Sequence, residues 1–394
     1  MPLERVDFFM PPVGHYDVLQ AFTKDLYEAF LRQGVKCRLL VPQWDNPQPF
    51  LESIFSDPPQ CTFSINGLLP DTEGHFFCDM IKLPHVAYVM DSPAAFSPLV
   101  NGAFNIIVCS DQFSVEFFKG LNSRQTFYLP EGVRQDIEAG PSKRTKEISV
   151  FATCVDIEVI TKKWEEEHSK DFSKAMQNVA EEALKNPSIS YLNLLVEAIN
   201  DFVKTHPKTD PRAIDYIALL DQLENYMRGK ERIELVRHLK GFDVHLFGAK
   251  DQGKTWKKYL EKTDYVQFHE PVPYDETISV MQQSKIVLNA ASWQRSGLHN
   301  KFLTGMAVEA LAVTAENPEV TRAFKGGEEL LTYRYGQWDE LTSQLKTYLQ
   351  DDTKRMEIGK KGREAVLKDH TWDHRVSEFQ KTLMEMIDLQ KELV

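Results

Sequence analysis

Short apolar runs alternate with helical patterns along most of this chain. The first apolar run covers residues 6–10 and ends in a turn rich in proline and glycine at residues 11–14. Apolar residues near helical spacing follow over residues 17–33, and a second apolar run covers residues 35–41. This order of strand, glycine-containing loop, helix and strand is typical of the opening of a doubly wound α/β domain.

Three further strands are predicted at residues 86–90, 105–109 and 126–129, each followed at once by a polar or turn residue. The carboxyl ends of parallel strands meet at one edge of a sheet, where such domains bind ligands. Asp91 follows one of these strands, and His15 follows the first strand of the chain. We predict that one of them is a catalytic base or orients an acceptor. The alternatives are a turn and helix start at Asp91 and a helix-capping loop histidine at His15.

A second α/β domain is predicted after a polar stretch at residues 136–147, which contains Gly-Pro and indicates a linker. Its first strand covers residues 148–153 and ends at Thr153. Residues 156–239 have an almost wholly helical pattern, which predicts a helical insertion after that strand. The charged run WEEEH inside the insertion lacks metal-ligand spacing, so we interpret it as a solvated helix face and predict no metal site.

Residues 284–319 contain the clearest candidate site. A buried strand ending at Asn289, a loop of small and polar residues, a helix from about residue 300 and a strand at residues 310–314 form a βαβ pattern. The loop lies where a helix amino terminus directs its N–H groups at an anion. We therefore hypothesise a ligand that carries phosphate. The loop residues are Ser292, Gln294, Arg295, Ser296, Gly297, His299 and Lys301.

A second phosphate motif lies earlier in this domain. The strand at residues 242–247 is followed by GAKDQGKT, from Gly248 to Thr255, which matches the P-loop pattern G-x-x-x-x-G-K-[ST]. The next apolar strand ends in Asn289 rather than in a carboxylate that would hold Mg²⁺, and the helix after the motif is short and polar. We keep a P-loop NTPase as an alternative. In another fold, Gly248 and Lys254 are candidates for phosphate contacts.

Composition narrows the class of protein. The chain has 394 residues, of which 42% are hydrophobic and 26% charged, so we expect packed globular domains. A net charge of −12 argues against a general nucleic-acid binder. The five cysteines are odd in number and scattered, which favours reduced thiols and a cytoplasmic protein. No apolar run is long enough to span a bilayer, and MPLERVDFFMPP has no signal-peptide pattern.

The segments SKIVLNAA, SGLHNKF and AVTAENPE resemble the glycosyltransferases of the CgeB, or spore-maturation, type. The resemblance also takes in PVPYDE, YGQWDEL and RMEIGKKGREAVLKDHTWDHR, and more weakly VAYVMDSP, IIVCSDQFSVEFFK and FYLPEGV. It implies an α/β protein of the GT-B fold, with two Rossmann-like domains facing across a cleft. The acceptor domain would be residues 1–135, the linker 136–147, the nucleotide-sugar domain 148–370 with its helical insertion at about 156–239, and a last helix at 371–394 would cross back.

The resemblance also implies a donor site that needs no metal and no cofactor. Its glycines would let the backbone approach a diphosphate, and Arg295 or Lys301 would offset the charge of the leaving group. Asn289, at a strand end, and Lys254, in the P-loop-like motif, are further candidates. The donor contacts implied by the resemblance are Thr153, Gly248, Ser296, Gly297, His299, Lys301, Glu316 and Asn317.

The sequence departs from the family at one informative position. Related enzymes have a glutamate that binds the donor ribose or sugar where this chain has Thr304. Glu309 and Glu316 are candidate substitutes, although Glu309 also fits a solvated carboxylate at a helix end. The departure bears on donor identity and on activity itself.

We therefore predict a cytoplasmic GT-B glycosyltransferase that moves a sugar from a nucleoside diphosphate, UDP- or GDP-linked, to a protein, glycan or small molecule rather than to nucleic acid. If the reaction inverts, His15 or Asp91 is the base. If it retains, the leaving diphosphate can serve instead. Two alternatives stay open: an inactive GT-B scaffold or binding protein, suggested by Thr304, and a P-loop NTPase using Gly248 to Thr255.

Overall fold

The structure, a computed structural model, describes residues 2–12, 17–41, 48–123, 125–207, 209–248, 253–292 and 294–392. The chain divides into two compact units. Unit 1 consists of Met1–Ile137 and Leu367–Val394, and unit 2 consists of Glu138–Val366.

Unit 1 is built on a sheet of parallel strands. Its strands in chain order are β1 (Arg5–Phe9), β2 (Lys36–Leu40), β3 (Cys61–Ile65), β4 (His85–Val89), β5 (Asn105–Cys109) and β6 (Thr126–Tyr128). Their order across the sheet is β2-β1-β3-β4-β5-β6. Every residue of β3, β4 and β5 is buried, as expected for parallel strands covered by helices on both faces. The strand order changes direction between β1 and β3, which makes that point the switch point of unit 1.

Unit 2 has a second parallel sheet. Its strands are β7 (Lys146–Phe151), β8 (Val244–Phe247), β9 (Val266–His269), β10 (Ser284–Asn289), β11 (Leu311–Ala315) and β12 (Leu331–Tyr333). They are ordered β12-β11-β10-β7-β8-β9, so the direction of winding reverses between β7 and β10. These two strands are paired directly, with Ile148 opposite Ile286 and Val150 opposite Leu288.

Helices flank both sheets. In unit 1 they begin with α1 (Val18–Arg32), α2 (Gln48–Ser56), α3 (Phe77–Ile81), a 3₁₀ helix (Pro93–Asn101) and α4 (Gln112–Gly120). Between β7 and β8, unit 2 carries α5 (Ile157–Glu167), α6 (Lys170–Lys185), α7 (Tyr191–Thr205), a short 3₁₀ helix (Pro211–Ala213) and α8 (Tyr216–His238). The remaining helices are α9 (Gly253–Tyr259), α10 (Tyr274–Gln282), α11 (Asn300–Ala307), α12 (Pro318–Ala323), α13 (Trp338–Gln350), α14 (Asp352–Asp369) and α15 (Trp372–Glu392).

The last helix, α15, is part of the core of unit 1. Its Phe379 is 2% exposed and packs its ring against Phe30 of α1 at 6.3 Å and against Phe127 of β6 at 5.1 Å. At the start of α15, Asp373 accepts two hydrogen bonds from Arg32 of α1, each of 2.8 Å. The carboxyl-terminal helix therefore completes a unit whose other elements come from the start of the chain.

Most strands lie where the hydrophobic pattern predicts them. The strand β3 and the helix α2 were not predicted, because residues 44–79 have only a weak pattern of hydrophobic and polar positions. The sequence of β3, CTFSI, includes three small or polar residues that are nevertheless buried beside β1 and β4. All five cysteines have free thiols, as expected, and only Cys37 is not fully buried. Within the described residues, no helix combines the length and apolar character needed to cross a membrane.

We predict that Phe379→Ala lowers the free energy of unfolding of unit 1 by about 3–5 kcal/mol, because it leaves a cavity between α15, α1 and β6. Amide hydrogen exchange resolved by mass spectrometry should show faster exchange in β1 and β3, with unit 2 unchanged. The matched control is Leu389→Ala on the same helix, where the side chain is 53% exposed. Equal effects of the two substitutions would contradict the packing role of α15.

Candidate functional site

The switch point of unit 2 lies between β7 and β10. The chain leaves β7 after Phe151 and leaves β10 after Asn289. In open α/β sheets the connections diverge at such a point and leave a crevice outside the carboxyl ends of the strands. Thr153 follows β7, and the loop that leads into α11 follows β10, so the switch point collects several of the predicted donor residues.

The amino terminus of α11 is capped by His299. Its Nδ1 accepts a hydrogen bond of 3.1 Å from the backbone N–H of Lys301. An Nδ1 that accepts carries no proton, so the ring is the neutral tautomer protonated on Nε2. Burial holds the pKa of His299 well below its usual value, and the positive charges of Lys301, Arg232 and Arg228 lower it further. At neutral pH the ring therefore adds no charge to the site.

Three cationic side chains surround this neutral cap. Arg232 of α8 is 8% exposed, and its Nη1 donates to the carbonyl oxygen and Oγ1 of Thr153 at 3.0 and 2.9 Å. Lys301 of α11 donates from Nζ to the carbonyl oxygen of Phe151 at 2.8 Å. Arg228 lies one helical turn before Arg232 on α8, and its positive charge also lowers the pKa of His299. The positive charge thus lies at the carboxyl end of β7 and at the amino terminus of a helix, an arrangement suited to phosphate.

A glycine brings α8 close to this edge of the sheet. A Cβ added at Gly229 would lie 2.6 Å from Cγ2 of Ile157 and 2.9 Å from Cβ of Val155. Real Cβ atoms do not approach so closely, so a larger residue would push α8 away from the segment that follows β7. Gly229 directly follows Arg228, and this close approach places both arginines of α8 at the switch point.

In the structure, Arg295 is buried and forms hydrogen bonds within the protein. The side chain is 4% exposed, and its Nη1 donates to the carbonyl oxygen of Ala183 at 2.8 Å and to that of Ser292 at 3.2 Å. Its Nη2 donates to the carbonyl oxygens of Asn186 and Ile189. Arg295 therefore satisfies carbonyls at the end of α6 and joins the insertion to the loop that precedes α11.

Thr304 also has an interior environment. Its side chain is 1% exposed, and Oγ1 donates to Oδ1 of Asn300 at 3.0 Å. Tyr274 donates to the same amide oxygen at 3.2 Å. The hydroxyl that stands at the glutamate position of the resembling family is thus engaged within α11 and its neighbour α10.

The other predicted residues of unit 2 fall into two groups. Asn289 and Asn317 are buried and hold the loops together: Asn289 donates to Oγ1 of Thr314 at 3.1 Å, and Asn317 donates to the carbonyl oxygen of Gly297 at 3.1 Å while it caps α12. Glu316 follows β11 and accepts from Nε and Nη2 of Arg334 at 3.0 and 2.8 Å.

The second group consists of residues in the loop after β10 and in the P-loop-like motif. Ser296 is half-buried beside the buried Gly297. Gly248 follows β8. A Cβ added there would lie 2.8 Å from the carbonyl oxygen of Ala152, which follows the neighbouring strand β7. Lys254 is exposed on α9. Residues 249–252 of the P-loop-like motif lie outside the described residues.

Unit 1 places Asp91 near its own switch point. Asn66, directly after β3, adopts the left-handed conformation with φ 61° and is followed by Gly67 with φ 71°. The Asn66 amide donates from Nδ2 to Oδ2 of Asp91 at 2.7 Å and accepts at Oδ1 from the backbone N–H of Met90 at 3.0 Å. The exposed carboxylate of Asp91 is therefore held by a residue in a sparsely populated backbone conformation, a combination found at functional sites. His15 lies outside the described residues.

Arg228 and Arg232 were not among the residues predicted from the sequence. They belong to the block at residues 156–239 that was interpreted as a helical insertion, and nothing in their spacing distinguishes them from solvated arginines. In the second half of α8 charged residues outnumber large apolar ones, so the sequence carries no signal that these two arginines face the sheet rather than solvent.

One family of known proteins matches part of the chain in sequence. A family described as "Glycosyl transferase-like" matches residues 228–381, a region that starts at Arg228 and includes Arg232, the loop before α11 and the first part of α15. No curated protein matches the chain in sequence.

Solved structures resemble the whole chain at low sequence identity. Sucrose-phosphate synthase from Thermosynechococcus elongatus matches with a TM-score of 0.59 at 9% identity, covering 98% of this chain and 100% of that one. Anabaena Alr3699/HepE in complex with UDP and glucose matches with a TM-score of 0.55 at 12% identity, covering 97% and 100%. T4 phage BGT in complex with UDP and Mn²⁺ matches with a TM-score of 0.55 at 12% identity, covering 98% and 99%. These likenesses, with the two parallel six-stranded sheets, confirm the predicted GT-B fold.

We predict that the free energy of unfolding falls as the pH drops below about 6.5, the usual pKa of histidine in an unfolded chain. The folded pKa of His299 is lowered, so below that pH the unfolded chain takes up a proton that the folded ring does not, and stability is lost. His299→Asn keeps a capping side chain but removes this titration, and should make the pH dependence measured by urea unfolding between pH 5 and 8 shallower. It should not abolish that dependence, because burial also lowers the pKa of His85, to about 3. Identical slopes for the variant and the native chain would contradict this assignment.

Proposed function

We propose that this protein is a glycosyltransferase that binds a nucleoside-diphosphate sugar at the switch point of unit 2. The observation that carries the proposal is the convergence of Arg228, Arg232 and Lys301 around a neutral His299 at the amino terminus of α11. A diphosphate leaving group gains negative charge as the glycosidic bond breaks. Fixed positive charges beside it stabilise that change more than they stabilise the bound donor, and this difference accelerates the reaction.

The match of residues 228–381 to glycosyl transferase-like proteins supports this chemistry, because the same residues contain both arginines and α11. UDP is the leading donor nucleotide, with GDP as the alternative, since the fold is shared with proteins solved in complex with UDP and with UDP-glucose. Ser296 and Gly297 would present backbone N–H groups to the diphosphate. Thr153 and Gly248 border the same edge of the sheet and would contact the nucleotide.

We further propose that the reaction needs no bound metal, because the arginines and Lys301 supply the charge that a metal would otherwise provide. Among the described residues, no three histidine, cysteine, aspartate or glutamate side chains are grouped as a metal site requires. Transfer measured in the presence of EDTA should therefore match transfer without it. Restoration by Mn²⁺ after a loss in EDTA would overturn this part of the proposal.

The acceptor is proposed to bind unit 1, with Asp91 as base. The hydrogen bond from Asn66 fixes one oxygen of the Asp91 carboxylate, which directs the other towards an acceptor hydroxyl. In an inverting reaction this oxygen takes the hydroxyl proton as the nucleophile attacks. In a retaining reaction the leaving diphosphate takes it, and Asp91 orients the acceptor. His15 stays a candidate for either task.

One observation favours a second function, that of an inactive GT-B binding protein. The Thr304 hydroxyl is buried and bonded to Asn300, so it does not replace a donor-binding carboxylate. Glu316 is half-exposed beside Arg334 at the end of β11, and is the nearest substitute by position in the fold. Detectable hydrolysis or transfer of a nucleotide sugar, abolished by Lys301→Ala, would exclude the inactive protein.

We predict that UDP raises the melting temperature of the native chain in a screen of UDP, GDP, CDP, TDP and their sugars. Arg232→Met and Lys301→Met should each weaken UDP binding by roughly tenfold or more, as expected when a charge-assisted hydrogen bond of about 1.5–3 kcal/mol is lost. Calorimetric titration gives the affinities.

Lys254→Met is the matched control, because this exposed lysine is at the lysine position of the P-loop-like motif and lies on α9 rather than on α8 or α11. It should change UDP affinity by less than the other two variants. In a P-loop NTPase the order would be reversed, and Lys254→Met would abolish nucleotide binding. A screen with no thermal shift for any nucleotide would overturn the proposed function.

We predict that Asp91→Asn lowers the rate of donor hydrolysis or transfer by about 10²–10⁴, the usual contribution of a positioned base, and leaves UDP affinity unchanged. The comparison of turnover with calorimetric affinity separates this role from a structural one. Unchanged turnover in Asp91→Asn would instead indicate a retaining reaction in which the leaving group carries the proton.

A further inference from the structure

A buried carboxylate lies behind the cationic cluster. Glu231 of α8 is 0% exposed. Both of its oxygens accept from the backbone N–H of Ser292 at 2.9 Å, and Oε1 also accepts from the Ser292 hydroxyl at 2.6 Å and from the Tyr333 hydroxyl at 2.6 Å. All three partners are donors, so the arrangement fits an ionised carboxylate.

The hydrogen-bond donors around Glu231 offset the free-energy cost of burying its negative charge. Burial raises the pKa of Glu231, while the bonds from Ser292 and Tyr333 act in the opposite direction. Within the described part of the chain, the carboxylate forms no ion pair with a lysine or arginine, so hydrogen bonds from two other elements hold it. Removal of one partner would leave a buried polar atom unsatisfied, and the elements are therefore kept in one arrangement.

The carboxylate of Glu231 connects α8, the loop after β10 and β12, and each of these three elements supplies or contacts part of the proposed diphosphate site at the switch point. On α8, Arg228 lies three residues before Glu231 and Arg232 directly follows it. Ser292 begins the loop that ends at His299, the cap of α11. Tyr333 closes β12 and also donates to the carbonyl oxygen of Asn289 at 3.3 Å, at the end of β10. The carboxylate thus connects the helix that supplies two cations to the loop that supplies the helix amino terminus.

We propose that Glu231 is a positioning residue of the nucleotide site, which holds α8 and the loop at residues 292–299 in the one register that lets Arg228, Arg232 and the start of α11 act on the same diphosphate. This inference rests on the proposed function, since it assumes a diphosphate at the switch point. Glu231 itself touches no substrate in this scheme. It acts through Ser292 and Tyr333.

The test substitutes Glu231→Gln in the full chain. A glutamine keeps an acceptor at the Oε1 position, but it removes the charge and turns an NH₂ group towards the N–H of Ser292, so the joint between α8 and the loop is weakened without loss of volume. UDP affinity should fall about tenfold, because displaced cations lose part of their charge-assisted hydrogen bonds to the diphosphate. Uridine, which has no phosphate, should bind with unchanged affinity in a competition assay.

The matched control is Glu224→Gln, on the same helix. Glu224 is 1% exposed and accepts a hydrogen bond of 2.6 Å from the hydroxyl of Tyr191, on α7 of the insertion, whereas the partners of Glu231 are Ser292 and Tyr333. Both variants should melt at lower temperature than the native chain, and only Glu231→Gln should lose UDP affinity. If Glu231→Gln does not fold, Tyr333→Phe and Ser292→Ala each remove one donor and should give a smaller loss of the same kind.

The outcomes separate the two claims. A native chain that binds no nucleoside diphosphate overturns the proposed function and this inference with it. The positioning role alone is overturned if the native chain binds UDP and Glu231→Gln binds it with the same affinity. Native UDP affinity in both Tyr333→Phe and Ser292→Ala would overturn it in the same way. Equal losses for UDP and uridine, or equal losses in the Glu224→Gln control, would show general destabilisation and would also overturn it.

Discussion

Burial of the Glu231 charge is the constraint on which the rest of unit 2 depends. A carboxylate with no solvent contact persists only when donors surround it, and here the donors come from the loop after β10 and from the end of β12. Because α8 starts in the insertion and ends at the sheet, the same interaction fixes where the insertion sits. One buried charge therefore sets the position of two arginines that were far from the loop in sequence.

The insertion is consequently part of the site rather than an appendage to a Rossmann-like domain. Three contacts hold it at the edge of the sheet from different directions. Arg295 reaches from the loop into the carbonyls at the end of α6, Gly229 lets α8 approach the chain after β7, and Arg232 donates to Thr153. The two arginines satisfy backbone carbonyls that would otherwise be buried without partners, so packing of the insertion and assembly of the proposed site have a common physical cause.

The strands predicted from the sequence include β4, β5 and β10, each of which contains a continuous apolar run of three or more residues, as is typical of a parallel strand buried on both faces. The prediction missed β3, whose small polar residues are buried only because β1 and β4 flank them. It placed His299 and Lys301 at the amino terminus of a helix, because a βαβ pattern implies one there, and α11 does begin at that point. It singled out none of Arg228, Glu231 and Arg232, because a helix pattern does not reveal which of its faces meets another element.

The charge states of the groups around the amino terminus of α11 suit the proposed diphosphate ligand. An imidazolium near three other cations would be repelled, and its charge would vary around neutral pH, so His299 is held neutral and serves as a hydrogen-bond cap. The charge is carried instead by the guanidinium groups of Arg228 and Arg232 and by the ammonium group of Lys301. Burial and the same three charges, which keep the ring neutral, lower the pKa of His299, so the fold loses stability in acid as the unfolded chain takes up a proton that the folded ring does not. A neutral cap placed inside a cationic cluster therefore adds no charge to the site and makes the fold around it sensitive to acid.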